Sequence, residues 1–123
     1  MFRSVKTQDS YGNKQTHYYL TQGDSCKITS TPYKDGVVLT SGISNCYFKL
    51  ATLNYVAVKD FDKIKMEKST QGDFYELKLS GTQTEKLEPG QYRYEIEYEL
   101  TDGVATTNSW KFDILPQIKS QTN

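Results

Sequence analysis

The chain has 123 residues, with 15 Lys+Arg balanced by 15 Asp+Glu and a single histidine. That length suits one domain, since a single core serves roughly 100 to 200 residues. A net charge of zero lacks the basic surplus of nucleic-acid binders, and the longest apolar run, Tyr55-Val56-Ala57-Val58, falls far short of the roughly 20 residues of a membrane-spanning helix.

Leu, Ile, Val and Phe make up only 26 residues, but ten tyrosines and one tryptophan add area that can be buried. β-Branched and aromatic residues are plentiful and alanine occurs three times, which favours pleated sheet over helix. An all-β domain is expected. The start, Met1-Phe2-Arg3-Ser4-Val5-Lys6, turns polar at once, so no secretory leader is expected and synthesis is placed in the cytosol.

Residues 1–14 are polar around Tyr11-Gly12-Asn13 and are expected to form an arm or edge strand. A strand over 15–20 follows, then the turn Gln22-Gly23-Asp24, then a strand in which Cys26 and Ile28 share a face. Pro32 ends it. Lys34-Asp35-Gly36 makes a turn into Val37-Val38-Leu39. Over 43–50, Cys46, Phe48 and Leu50 alternate with Tyr47 and Lys49, and 52–58 is a further candidate strand. Ile64 and Met66 then oppose Lys63 and Lys65, and Tyr75, Leu77 and Leu79 share a face over 74–79. Between 80 and 88 the alternation breaks; Thr82-x-x-Glu85 suits the cap of one helical turn, with a plain loop as the alternative.

The strongest pattern is Tyr92, Tyr94, Ile96, Tyr98 and Leu100 alternating with Arg93, Glu95, Glu97 and Glu99. It marks a half-buried antiparallel strand. Asp102-Gly103 turns it into a return strand over 104–114, Pro116 stops pairing, and 117–123 reads as a polar tail. The domain proper is therefore 15–116. Seven to nine short strands of this kind bury their apolar faces best in a two-sheet sandwich, with a small barrel as the alternative.

Little in the chain points to catalysis. His17 has no nucleophile partner nearby. The carboxylates Glu95, Glu97 and Glu99 lie on one open strand face, roughly 7 Å from i to i+2, rather than across a cleft. Lys63, Lys65, Lys78 and Lys111 are expected to pair with them across the sheet. Asp60-x-Asp62 with Asp73 offers hard oxygens but lacks the spacing of a dedicated calcium loop. Cys26 and Cys46 are expected as small core residues, with an inter-strand disulfide as the alternative. No catalytic, cofactor-binding or metal residue is assigned.

The run Leu87-Glu88-Pro89-Gly90-Gln91-Tyr92 resembles the tyrosine corner of immunoglobulin-like sandwiches. Tyr92 would hold the corner, Pro89 the entry and Gly90 the turn, beside Leu87. Several further motifs widen the likeness: Gly23-Asp24, Lys34-Asp35-Gly36-Val37-Val38-Leu39, Asn45-Cys46-Tyr47-Phe48-Lys49-Leu50, Leu87 to Glu97, Asp102-Gly103 and Trp110-Lys111-Phe112-Asp113-Ile114. In this order they are similar to the immunoglobulin-like N-terminal domain of phage baseplate upper proteins, from tailed phages and prophages of Gram-positive bacteria. The resemblance covers roughly residues 20 to 115. It implies an immunoglobulin-like antiparallel β-sandwich that anchors to the baseplate; in longer members helical and receptor-facing parts follow this domain.

The function expected is a non-enzymatic structural or assembly module of a phage tail or baseplate. Its partners would be other tail or baseplate proteins, or further copies of itself in a symmetric assembly, with no nucleic acid and no membrane. It would reside in the virion, made in the host cytoplasm and released by lysis. The alternative is a carbohydrate-binding sandwich that attaches to host cell-wall glycan. Its candidate surface is Tyr18, Tyr19, Tyr33, Tyr47 and Tyr55, since tyrosines outnumber the core positions Tyr75, Tyr92, Tyr94 and Tyr98.

Overall fold

A computed structural model describes residues 2–8, 14–107 and 109–118. It is built of strands β1 (Phe2–Gln8), β2 (Lys14–Thr21), β3 (Cys26–Ser30), β4 (Tyr33–Lys34), β5 (Val37–Val38), β6 (Ile43–Thr52), β7 (Ile64–Lys68) and β8 (Tyr75–Leu79). A short helix, α1 (Gly81–Glu85), precedes β9 (Gly90–Leu100), β10 (Gly103–Thr106) and β11 (Trp110–Leu115). The all-β expectation holds.

Eight strands run in one mixed sheet, in the order β1-β2-β11-β9-β6-β7-β8-β3, with β10 attached to β9. Every pairing is antiparallel except β2 with β11. The sheet curls until its ends nearly meet, giving an almost closed barrel. Tyr18 of β2 spans the gap: its hydroxyl accepts from the Thr29 amide of β3 at 3.0 Å. β7 makes the bend, pairing with β6 through Ile64 and Met66 and with β8 through Glu67 and Lys68.

Inside, Tyr18, Phe48, Tyr94 and Phe112 form one aromatic cluster with centroids 5.4–6.3 Å apart. Leu20, Ile28, Leu50, Met66, Leu79, Ile96 and Ile114 fill the space around it. Each large side chain buried this way stabilises the fold by about 1.5–3 kcal/mol. The phenols are satisfied as well as buried. Tyr94 donates to Thr16 O at 2.6 Å, and Tyr98 bonds the Ser30 hydroxyl. Tyrosines thus do the work of the missing aliphatics without orphaning a polar group.

Cys26 and Cys46 are free and buried, as the core-residue expectation had it. The Cys46 thiol donates to Met66 Sδ at 3.8 Å. Burial pushes both thiols up to about 12.

Five expectations need correction. Strands number eleven among the described residues, and β6 and β9 run to 10 and 11 residues. The helical turn is capped by Ser80, not Thr82: the Gln83 amide donates to Ser80 Oγ and the Ser80 amide to Gln83 Oε1, closing a capping box. Residues 52–58 are a tight excursion rather than a strand. Tyr55 sits there at φ 63°, held by its amide to Thr52 O.

The return strand over 104–114 is split. Thr107 replaces a ladder position at Ile96, its amide donating to Ile96 O while its hydroxyl accepts from Ile96 N. β10 is left exposed throughout and β11 starts afresh at Trp110. Last, Tyr92 is only half-buried, whereas Tyr75, Tyr94 and Tyr98 are core. Of the N-terminal segment, Phe2–Gln8 is an edge strand paired with β2; Tyr11-Gly12-Asn13 lies outside the described residues.

α1 is seated by contact rather than by length. A Cβ on Gly81 would meet Gly23 O at 2.4 Å, and Thr84, fully buried, donates to Asp24 O at 2.7 Å. The turn before β3 and the helix before β9 are thereby fastened together.

Candidate functional site

The polar and charged groups that sequence and fold bring together lie on the outer face of β2, β11, β9 and β6, most of them half-buried. Strand alternation fixes this: residues between the core positions must point outward. The face carries His17 and Tyr19 on β2, Lys111 and Asp113 on β11, Arg93 to Glu99 at alternate positions on β9, and Tyr47 and Lys49 on β6.

Its lower half, toward the end of β9, is a closed charge ladder. Glu95 and Glu97 pair with Lys49 at 3.6 and 3.5 Å, and Glu97 also pairs with Lys63 at 3.3 Å. Glu99 accepts from Asn45 Nδ2 at 2.9 Å. The hydrogen bond to Glu97, with its charge, raises the Lys63 ammonium above its ordinary value. Lys63 also stands 4.4 Å over the Tyr47 ring. Of the four lysines expected to serve these glutamates only Lys63 does so; Lys65, Lys78 and Lys111 do not. Lys49 was missed, although the β6–β9 register places it directly opposite Glu95.

The upper half is open. Arg93 stands opposite Lys111 and lies 5.3 Å from the Tyr55 ring. Hollows of about 230 and 340 Å³ flank it, the first bounded by Lys49, Tyr55, Asp62 and Ser109, the second by His17, Leu53, Gln91, Lys111 and Asp113. The His17 Nε2–H donates to the Asp113 carboxylate at 2.8 Å. Leu53, Tyr55 and Val56 all project outward from the excursion.

The five tyrosines proposed as a surface do not form one. Tyr18 is a core residue, a correction that follows from its inward parity on β2 and its hydroxyl bond to Thr29. Tyr19 is half-buried against His17, Tyr33 lines a separate hollow with Tyr98, and Tyr47 lies under Lys63. Tyr55 alone of the five is mostly exposed, at 66%.

At the corner, the Tyr92 hydroxyl donates to Glu88 O at 2.5 Å, Leu87 is buried, and Gly90 takes φ 154°. Among the described residues no three His, Cys, Asp or Glu side chains converge as metal ligands, so Asp60, Asp62 and Asp73 are not brought together. No described helix is long and apolar enough to cross a membrane. No protein-family model matches the sequence, and no curated protein matches it.

Proposed function

We propose that the chain is an immunoglobulin-like β-sandwich acting without catalysis as a structural or assembly module of a phage tail or baseplate, through contact with other proteins of the particle. The fold reading rests on the pairing scheme. On this reading the continuous sheet divides at β7, with β3-β8-β7 as one layer and β2-β11-β9-β6 as the other; β2 is parallel to β11, and β7 pairs with both β6 and β8. The observation that carries it is the bond from the Tyr92 hydroxyl to Glu88 O, four residues upstream and immediately ahead of the longest strand.

The functional reading rests on the resemblance in the order of motifs and on the outer face. That face offers charge and exposed apolar groups, Leu53, Tyr55 and Val56, in the manner of a protein interface. The test is mass spectrometry of purified particles released from the host that carries the gene. Recovery of the chain with tail proteins in a fixed stoichiometry is expected. Absence from particles, together with a monomer that joins no tail protein, overturns the proposal.

One observation favours a second function, attachment to cell-wall glycan: Tyr55 projects from a strained loop position, two-thirds exposed, with Arg93 over its ring. Binding in a cell-wall pull-down that Tyr55→Ala abolishes would favour it.

A further inference from the structure

Arg93 and Lys111 occupy directly opposite positions in the β9–β11 ladder, and the residue facing Arg93 from β6 is Ala51. Like charges placed this way destabilise a sheet. Neither makes an ion pair with a described residue; the ion pairs of the face are taken by Lys49, Lys63 and His17. Of the two flanking acids, Glu95 is paired with Lys49, and Asp113, opposite Gln91, is engaged by His17.

The two cations rest on rings instead. Arg93 lies over Tyr55 at 5.3 Å and Lys111 over Trp110 at 5.6 Å. Such contacts use the flat face of a guanidinium and leave its N–H edge to find acceptors. Arg93 Nε is buried without a hydrogen-bond partner. Both side chains border the hollow of about 340 Å³ that also includes His17, Leu53 and Gln91.

We propose that Arg93 and Lys111 form an anion-binding site that takes a carboxylate from an acidic segment of a partner protein. The guanidinium fork matches a carboxylate edge, and Lys111 supplies a second, mobile donor. Flanking charge narrows the ligand. Glu95 on one side and Asp113 on the other disfavour a densely charged polymer such as a nucleic acid but admit the spaced carboxylates of a short acidic peptide. Leu53 and Tyr55 beside it offer apolar surface for the neighbouring side chains of a peptide. The choice of a protein as the source of the carboxylate rests on the assembly function; the anion site itself stands on the geometry.

The experiment is an amide NMR titration of the full chain at low salt with a blocked triglutamate peptide, a blocked trilysine peptide and inorganic phosphate. Triglutamate is expected to shift the amides of 91–93 and 111–113, while trilysine leaves them in place. Arg93→Gln or Lys111→Gln should weaken binding at least tenfold, and Lys49→Gln should leave it within twofold. Lys111→Glu gives an independent readout, pairing with Arg93 to raise the melting temperature while abolishing binding.

No shift at these amides with any anion, or shifts that survive Arg93→Gln, overturns the site. Phosphate bound more than tenfold tighter than triglutamate overturns the carboxylate assignment. Anion binding by a chain absent from particles refutes the assembly function and keeps the site; a chain present in particles that binds no anion refutes the site alone.

Discussion

Two stretches of one strand treat charge in opposite ways. From Glu95 to Glu99, β9 has a donor for each carboxylate: Lys49, Lys63 or Asn45. At Arg93 the same strand faces Lys111 and Ala51, and Arg93 makes no ion pair with a described residue. The core beneath is shared but shallower at the Arg93 end, where Tyr94 is buried and Tyr92 only half-buried, than under the glutamates, where Tyr94, Ile96 and Tyr98 are all buried. A paired ladder keeps a sheet face soluble and in register, whereas an uncompensated pair of cations weakens the fold slightly and leaves donors for something else.

The largest effect is expected where the two stretches share a floor. Phe48 packs on Tyr94 and Phe112, and Phe48→Ala should cost about 3–5 kcal/mol in urea unfolding. If it costs under about 1 kcal/mol, the common core that underlies the comparison is absent.

Alkaline pH attacks the same interior. Burial holds Cys26 and Cys46 protonated up to about 12, while unfolded thiols ionise near about 8.5. A raised folded value means that the stabilisation is complete below about pH 8.5 and is lost as pH climbs toward 12. Tyr94 and Tyr98, whose phenols burial also pushes up, add to that loss above about pH 10. Melting temperature should be level from pH 6 to 8 and fall steeply beyond; iodoacetamide at pH 8 should label neither thiol until the chain unfolds. Rapid labelling of the native chain would contradict the packing.

Gly81→Ala should cost about 2 kcal/mol, because the new methyl meets Gly23 O and α1 must shift off the turn. Since α1 leads into the corner and β9, the loss should leave both halves of the outer face equally affected. Glu97→Lys should cost about 1–2 kcal/mol, by gathering three cations where two pairs stood, and the cost should shrink in high salt.

The smallest effect has the opposite sign. Lys111→Glu should stabilise by about 0.5 kcal/mol, through a new cross-strand pair with Arg93. Equal and same-signed changes at 97 and 111 would erase the contrast between the two stretches.

Much of this was legible in the residue order. Period-two alternation located β3, β6, β8 and β9 and named their inward residues, since a half-buried strand must sort its side chains by parity. The corner run Leu87 to Tyr92 stood out for the same reason: a proline, a glycine and a tyrosine at fixed offsets carry a turn with them. Exposure of single tyrosines was not legible. Tyr18 and Tyr19 are adjacent, so one must face inward, but parity does not say which, and Tyr18 is the one that reaches β3 across the gap of the nearly closed barrel. The cap was misplaced by two residues because Ser80 and Thr82 both fit the motif, and only the seat of Gly81 against Gly23 selects Ser80.

The sequence by itself determined an all-β chain, its long amphipathic strand, the inward thiols and a core completed by tyrosine, because these follow from local period and side-chain chemistry. Only the tertiary structure decided which strands are neighbours. It set Lys49 and not Lys111 against the glutamates, and it left Arg93 opposite a second cation. Register is a long-range property, fixed by the packing of the inner faces, so the charges that meet on the outer face are settled by residues that never touch them.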